Sequence, residues 1–319
     1  MDFTTTKNTR LGELDFLRAV MIILMISFHL VWIGDNYPYM KSIVYTFHMP
    51  VFLIISGYLT KLNGTFSSNI HRITWLAVPY LIMESLYILG ASVLPIREHI
   101  ENLNINTFLD RLLLHPIGPY WFLHTLILGS ATLFLFSHLL KKLGNTTCLI
   151  LAGIAFALYS KLGIASLEML LYFLVGAAIR ERGFNFVATF FPSWLSVVAL
   201  LMLVVSPQNL HPHTAGGILI VFLTISFLLK LYPHIGGKFL RTFLFIGSNT
   251  LPIFLFSPLF TFICKPLQPI LSFEPTGLLF LLASLTLCLA GSLTVAYILD
   301  KLHISPYIFG RNNVLIKKS

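Results

Sequence analysis

The sequence predicts an all-α integral membrane protein of about ten transmembrane helices with both termini in the cytoplasm. Three observations predict it. Of the 319 residues, 56% are hydrophobic and only 10% are charged. The apolar residues fall in ten separate runs of roughly bilayer length. Lys and Arg gather in alternate segments between those runs.

An ordinary soluble domain is about one quarter charged, so a water-soluble globule of this composition could not cover its own surface. Disordered chains are polar and poor in aromatics, and 28 Phe exclude that class. A spanning helix needs about 20 mostly apolar residues. The candidates are 12–34, 42–61, 72–94, 119–140, 147–160, 164–180, 186–206, 213–232, 243–264 and 277–299. The fifth is short, and the seventh contains Pro192. The first is no signal peptide, because it carries Glu13, Asp15 and Arg18 and no small-residue cleavage site follows it. In the long connection from Pro95 to Gly118, the residues Ile105, Phe108, Leu109, Leu112 and Leu113 recur at helical spacing. They predict a short amphipathic helix on the outer interface. No repeat or linker divides the chain, which reads as one membrane-embedded domain over 1–319 without an appended soluble domain.

With the N-terminus inside, cytoplasmic segments carry 15 of the 21 Lys and Arg, the outer segments carry 5, and Arg18 lies within a span. Cytoplasmic connections of membrane proteins are enriched in Lys and Arg. The net charge of +9 is therefore read as orientation in a lipid bilayer and not as binding to nucleic acid. Cys148, Cys264 and Cys288 all lie in apolar runs. An odd number without tight spacing makes neither a disulfide framework nor a metal site.

Titratable groups inside spans mark functional sites by default. Arg18 and His29 are eleven residues apart, which at 100° per residue puts both on one helix face, about 16 Å apart along the axis. Asp15 is one turn before Arg18 and can pair with it. Glu84 follows Arg72 by twelve residues, about 18 Å deeper, near the depth of His29. There it can orient the imidazole or bind an acceptor, or be a structural interhelical carboxyl. His48 stands just before Pro50 and reads as packing or as substrate contact. Trp121 and His124 share a face near the outer end of their span, where Trp belongs to the interfacial belt or stacks on a sugar.

Several of these residues lie in motifs. Asp15-Phe-Leu-Arg18, ten residues and His29 resemble the first-helix signature of the acyltransferase family 3 membrane proteins. Phe47-His48-Met49-Pro50-Val51-Phe52 followed by Ser56-Gly57-Tyr58-Leu59 resembles the "F-x-M-P-L-F-F-x-x-S-G-Y" of its fucose-4-O-acetylase-like branch. Arg72 with Val78-Pro79-Tyr80, then Trp121-Phe122-Leu123, then Ile246-Gly247-Ser248-Asn249-Thr250-Leu251 continue the likeness in the family's order. Two positions depart from it. Asn69 stands where the third helix often has a second arginine, a charge that His71 or Lys61 can supply, and Ser257 stands where many members have His.

The resemblance implies transfer of an acyl group, usually acetyl, from cytoplasmic acyl-CoA to a hydroxyl of a saccharide or lipid-linked glycan. Acetyl-CoA enters as donor substrate, with no permanently bound cofactor and no metal. Arg18 and Arg72, with Asp15 as counter-ion, are the expected donor-binding groups, because arginine binds phosphate through a planar fork. His29 is the expected catalyst, as general base or as acyl carrier, with Glu84 beside it. Trp121, His48 and Asn249 are candidate acceptor contacts. Trp121, Tyr58, Ser56 and Asn249 are candidate donors to the oxyanion. The competing class is a multi-span secondary transporter using Arg18, His29 and Glu84 for substrate or proton coupling, although the paired broken helices of such transporters are not apparent.

Overall fold

The computed structural model describes residues 11–62, 64–94, 98–140 and 144–316. Lys7, Arg10, Arg97, Lys141, Lys142, Lys317 and Lys318, on which part of the charge asymmetry rests, lie outside the described residues, as does Pro95 at the start of the long connection. Within the described residues the chain is helical throughout, without strands. The helices are α1 Gly12–His29, α2 Val31–Asn36, α3 Pro38–Tyr58, α4 Phe66–Val93, α5 Ile105–Leu113, α6 Trp121–Leu139, α7 Asn145–Lys161 and α8 Leu167–Glu181. They continue as α9 Phe186–Thr189, α10 Leu195–Val204, α11 Ala215–Leu231, α12 Gly237–Ser248, α13 Thr250–Ile263, α14 Leu267–Leu271, α15 Leu278–Lys301 and α16 Ser305–Phe309.

Five segments among the described residues are long and apolar enough to cross a membrane: α3, α4, Gly118–Leu139, Ala215–His234 and α15. The pair α12 and α13 makes a sixth if it counts as one bent span. The other apolar helices are shorter or more charged. Helix α1 has 18 residues with Glu13, Asp15 and Arg18, α7 has 17, α8 has 15 and α10 has 10. Large apolar side chains stay exposed on the outside of the bundle, as with Leu195, Leu201, Met202 and Val205 around α10. A surface of this kind suits hydrocarbon and not water.

Three of the expected runs are not single helices. The first breaks at Leu30, which is extended (φ −67°, ψ 109°), so α1 stops at His29 and α2 starts afresh. The seventh breaks between α9 and α10, where Phe191 has φ 44° and Pro192 follows. A proline cannot donate a backbone hydrogen bond and restricts the residue before it. The ninth bends by 84° between α12 and α13. Pro252 has no N–H to give the carbonyl of Ser248, and its fixed φ suits the first turn of a new helix. The amphipathic helix over the long connection is present as α5, with Phe108 and Leu112 packed on Ile88, Ala91 and Ile117, while Ile105, Leu109 and Leu113 are exposed.

Helix α1 is central and packs on α3, α12 and α13. The most extensive helix contact is between α3 and α8. A Cβ on Gly57 would stand 1.9 Å from the carbonyl oxygen of Phe173, and one on Gly176 would stand 2.0 Å from that of Ile54. Small residues let backbones meet where no water drives association. Helix α15 follows the same logic against α13, burying Phe280, Ser284, Cys288, Ser292 and Ala296 at a strict spacing of four.

Candidate active site

A cavity of about 850 Å³ lies at the end of the bundle where α1 stops. Lys41 at the start of α3, Leu94 after α4, Trp121 at the start of α6, Lys265 after α13 and Phe280 at the start of α15 all line it. These helices therefore turn at the same end, which is the alternation that successive crossings require.

His29, the last residue of α1, is exposed to this cavity. Its Nδ1 donates to the carbonyl of Met25 at 2.7 Å. A carbonyl only accepts, so Nδ1 carries the proton and Nε2 keeps its lone pair. Tyr45 packs beside it, ring centroids 5.7 Å apart, with its hydroxyl donating to the carbonyl of Phe28 at 3.2 Å and 3.5 Å from Nδ1 of His29. His48 lies behind, 6.5 Å from the His29 ring and 5.1 Å from Tyr45. It is buried and bonded through Nδ1 to the carbonyl of Val44 at 2.8 Å, so it supports the His29–Tyr45 layer without lining the cavity.

Trp121 lines the cavity together with His29. Glu84 does not, being fully buried, with Oε1 accepting from the backbone N–H of Ile117 at 2.8 Å. His124 donates from Nε2 to the carbonyl of Leu113 at 3.0 Å. Arg18 pairs with buried Asp15 at 3.3 Å. Between Arg18 and His29 the same stripe of α1 is packed: Ile22 is 0% and Met25 4% exposed, and the cavity reaches along α1 only as far as Met25. A pantetheine arm running up this face therefore needs those two side chains to move.

Arg72 lies away from His29, in a small cavity of about 30 Å³ shared with Lys61, Asn69 and Ser130. Its Nη2 donates to the carbonyl of Leu59 at 3.1 Å. Arg18 is not part of that lining. Lys61 lines the same small cavity as Arg72, whereas His71 is occupied in accepting from the indole N–H of Trp75 at 3.1 Å.

Asn249 is also remote from the cavity. Its side-chain amide pairs with the C-terminal tail, Oδ1 accepting from the N–H of Ile316 at 2.8 Å and Nδ2 donating to the carbonyls of Phe245 at 2.9 Å and Ile316 at 3.4 Å. Asp300 holds the neighbouring N–H groups of Val314 at 2.7 Å and Leu315 at 3.1 Å. Tyr58 is at the opposite end of α3 under Arg180, and neither it nor Ser56 lines the cavity. Ser257 does line it. Polar residues of the lining that no sequence motif singles out include Lys41, Tyr45, Tyr87, Asp35, Glu98 and Lys265. A signal exists for the first two, since Lys41, Tyr45 and His48 stand at i, i+4 and i+7 on one face of α3.

Compared with known proteins, residues 11–299 match the model of the acyltransferase domain family Acyl_transf_3. A 133-residue stretch is 33% identical to the nodulation protein NolL of Mesorhizobium japonicum, over 36% of this chain and 33% of that protein. The chain thus matches about a third of that relative's length. No solved structure matches. The family match runs from the residue before α1 into the last turn of α15 and takes in both cavities, so the chain belongs to the acyltransferase family 3 and is a multi-pass membrane protein.

Proposed function

We propose that this chain is an O-acetyltransferase of the bacterial inner membrane that moves an acetyl group from cytoplasmic acetyl-CoA to a hydroxyl of a saccharide or lipid-linked glycan, with His29 as general base. The observation that carries the reading is His29 at the cavity wall with its Nδ1 proton committed to Met25. The free lone pair on Nε2 takes the acceptor hydroxyl's proton as that oxygen attacks the thioester carbonyl. The carbon–sulfur bond then breaks, and coenzyme A leaves as the thiol on taking up a proton. In the same cavity Trp121 supplies an indole N–H for the oxyanion or the sugar, and Tyr45, whose proton goes to the Phe28 carbonyl, supplies an oxygen that accepts from a sugar hydroxyl. The likeness to the fucose-4-O-acetylase-like branch supports a saccharide acceptor, and the family assignment favours transfer over transport. Transfer of label from acetyl-CoA to a glycan by the purified chain tests the reading. Its absence across membrane-linked and free glycans would end it.

The proposal includes ten crossings: α1, α3, α4, α6, α7, α8, α9 with α10, α11, α12 with α13, and α15. Both termini then face the cytoplasm, and His29 faces out. Cysteines placed near Lys61 and Lys238 are expected to react only from the cytoplasmic side, and those near Lys41 and Lys161 only from outside. The native cysteines are buried and do not compete. Labelling near Lys41 or Lys161 from the cytoplasm would sink the topology.

Arg18 and Arg72 belong to the donor side of this scheme. Arg18→Ala and Arg72→Ala are each expected to weaken coenzyme A binding about tenfold or more, because a hydrogen bond to a charged group contributes roughly 1.5–3 kcal/mol. Arg72 is expected to be the more sensitive, since Asn69 stands beside it in place of a second arginine. Unchanged affinity in both variants, measured by titration calorimetry, would remove the arginines from this role.

A further inference from the structure

Part of the cavity wall is the turn Gly118–Tyr120 with Trp121, reached through a piece of irregular chain from Leu114 to Ile117. Buried backbone N–H groups outside a helix need partners from elsewhere. Here two consecutive N–H groups, the first of them buried, are taken by carboxylates. Ile117 donates to Oε1 of Glu84 at 2.8 Å, and Gly118 donates to Oε2 of Glu98. Other bonds fasten the flanks: Tyr80 donates to the carbonyl of Leu112 at 2.7 Å, and Tyr120 donates to that of Leu255 at 2.8 Å. Gly118 has φ +64°, and a Cβ there would stand 2.4 Å from the ring of Tyr87. The turn is therefore pressed onto α4, with no room to shift toward it.

We propose that Glu84 is a positioning residue, whose carboxyl oxygen, together with Glu98, clamps the Ile117–Gly118 peptides and so fixes the Gly118–Trp121 wall of the cavity that His29 also lines. Four observations carry this. Glu84 is fully buried. It is absent from the cavity lining that includes His29. Its Oε1 is spent on Ile117. Its Oε2 has no hydrogen-bond partner among the described residues. A proton shuttle to substrate would have to reach the cavity, and this carboxyl does not. What it supplies is an acceptor oxygen at one fixed point, and a neutral amide supplies that equally well.

The kinetic part of the test rests on the acyl-transfer reading above, and the exchange part does not. Glu84→Leu removes the acceptor oxygen and leaves a buried N–H unpaired. The KM for acceptor is then expected to rise about tenfold, with the KM for acetyl-CoA unchanged. Backbone hydrogen exchange over residues 113–121, followed by mass spectrometry on the purified chain in detergent, is expected to quicken by a similar factor. Glu84→Gln keeps an oxygen in place and is expected to restore both readouts. If Glu84→Gln raises the KM for acceptor as far as Glu84→Leu does, while exchange over the wall stays slow, the carboxyl's proton matters and the clamp is overturned. Unchanged exchange in Glu84→Leu overturns it as well. Should the parent chain transfer no acyl group at all, the acyl-transfer reading fails, and exchange alone still decides the clamp.

Discussion

His29→Ala is expected to lower acyl transfer by a factor on the order of 10²–10⁴, the range that a positioned general base supplies. The expectation follows from how the ring is held. Nδ1 is fixed on Met25, the ring packs against Tyr45, and Nε2 is left to the cavity. Removing the ring opens a space that is already continuous with the cavity, so little packing is lost. Expression, elution as a monodisperse peak and coenzyme A binding are expected to persist. A folded variant that transfers at near the parent rate would end the role of His29. An acyl group trapped on the imidazole with donor alone would replace the general-base route by a two-step one.

A large effect on folding is expected at the contact of α3 with α8. Gly57→Ala and Gly176→Ala each place a methyl within about 2 Å of a carbonyl oxygen on the facing helix, at 1.9 Å from Phe173 and 2.0 Å from Ile54. These neighbours are backbone and cannot swing aside, so the helices must separate along a seam that runs beside the His48 helix. Overpacking typically costs about 1–3 kcal/mol and occasionally more, and the reciprocal pair should exceed either single change. Gly153→Ala is the control, because its nearest neighbour, Leu174, would be at an ordinary 3.5 Å. Melting of the detergent-solubilised proteins checks this. Equal melting temperatures for Gly57→Ala and Gly153→Ala would show that the seam tolerates a methyl.

The helix periodicity of α1 makes Arg18 and His29 legible from sequence, since both sit on one uninterrupted 18-residue helix where spacing translates directly into facing. The breaks at Leu30 and at Asn249 are less legible. An apolar run continues through each of them, and only Pro252 betrays the second. The glycines of α3 and α8 are visible as letters, but nothing local says that residue 57 meets residue 173. Glu84 illustrates the same limit at the site. Its depth follows from counting along α4. Its partner is a peptide N–H in an irregular segment, whose path depends on Tyr87, Glu98 and α13. Asn249 belongs to a motif at the elbow of a bent helix pair, and its pairing with Ile316 spans 67 residues, beyond the reach of any periodic pattern.

The packed stretch of α1 between Arg18 and His29 has an electrical consequence. A catalyst that takes its donor from one face of a membrane and serves an acceptor on the other risks becoming a conduit for protons and ions. Ile22, fully enclosed, and Met25, nearly so, leave no room along this face for a file of water between the guanidinium and the imidazole. In the proposed topology these two aliphatic side chains act as an insulator. The unbranched thioether of Met25, with its many rotamers, makes the upper layer the one suited to yield to a passing chain and close behind it, so that the acyl group can cross while the gradient across the bilayer is kept.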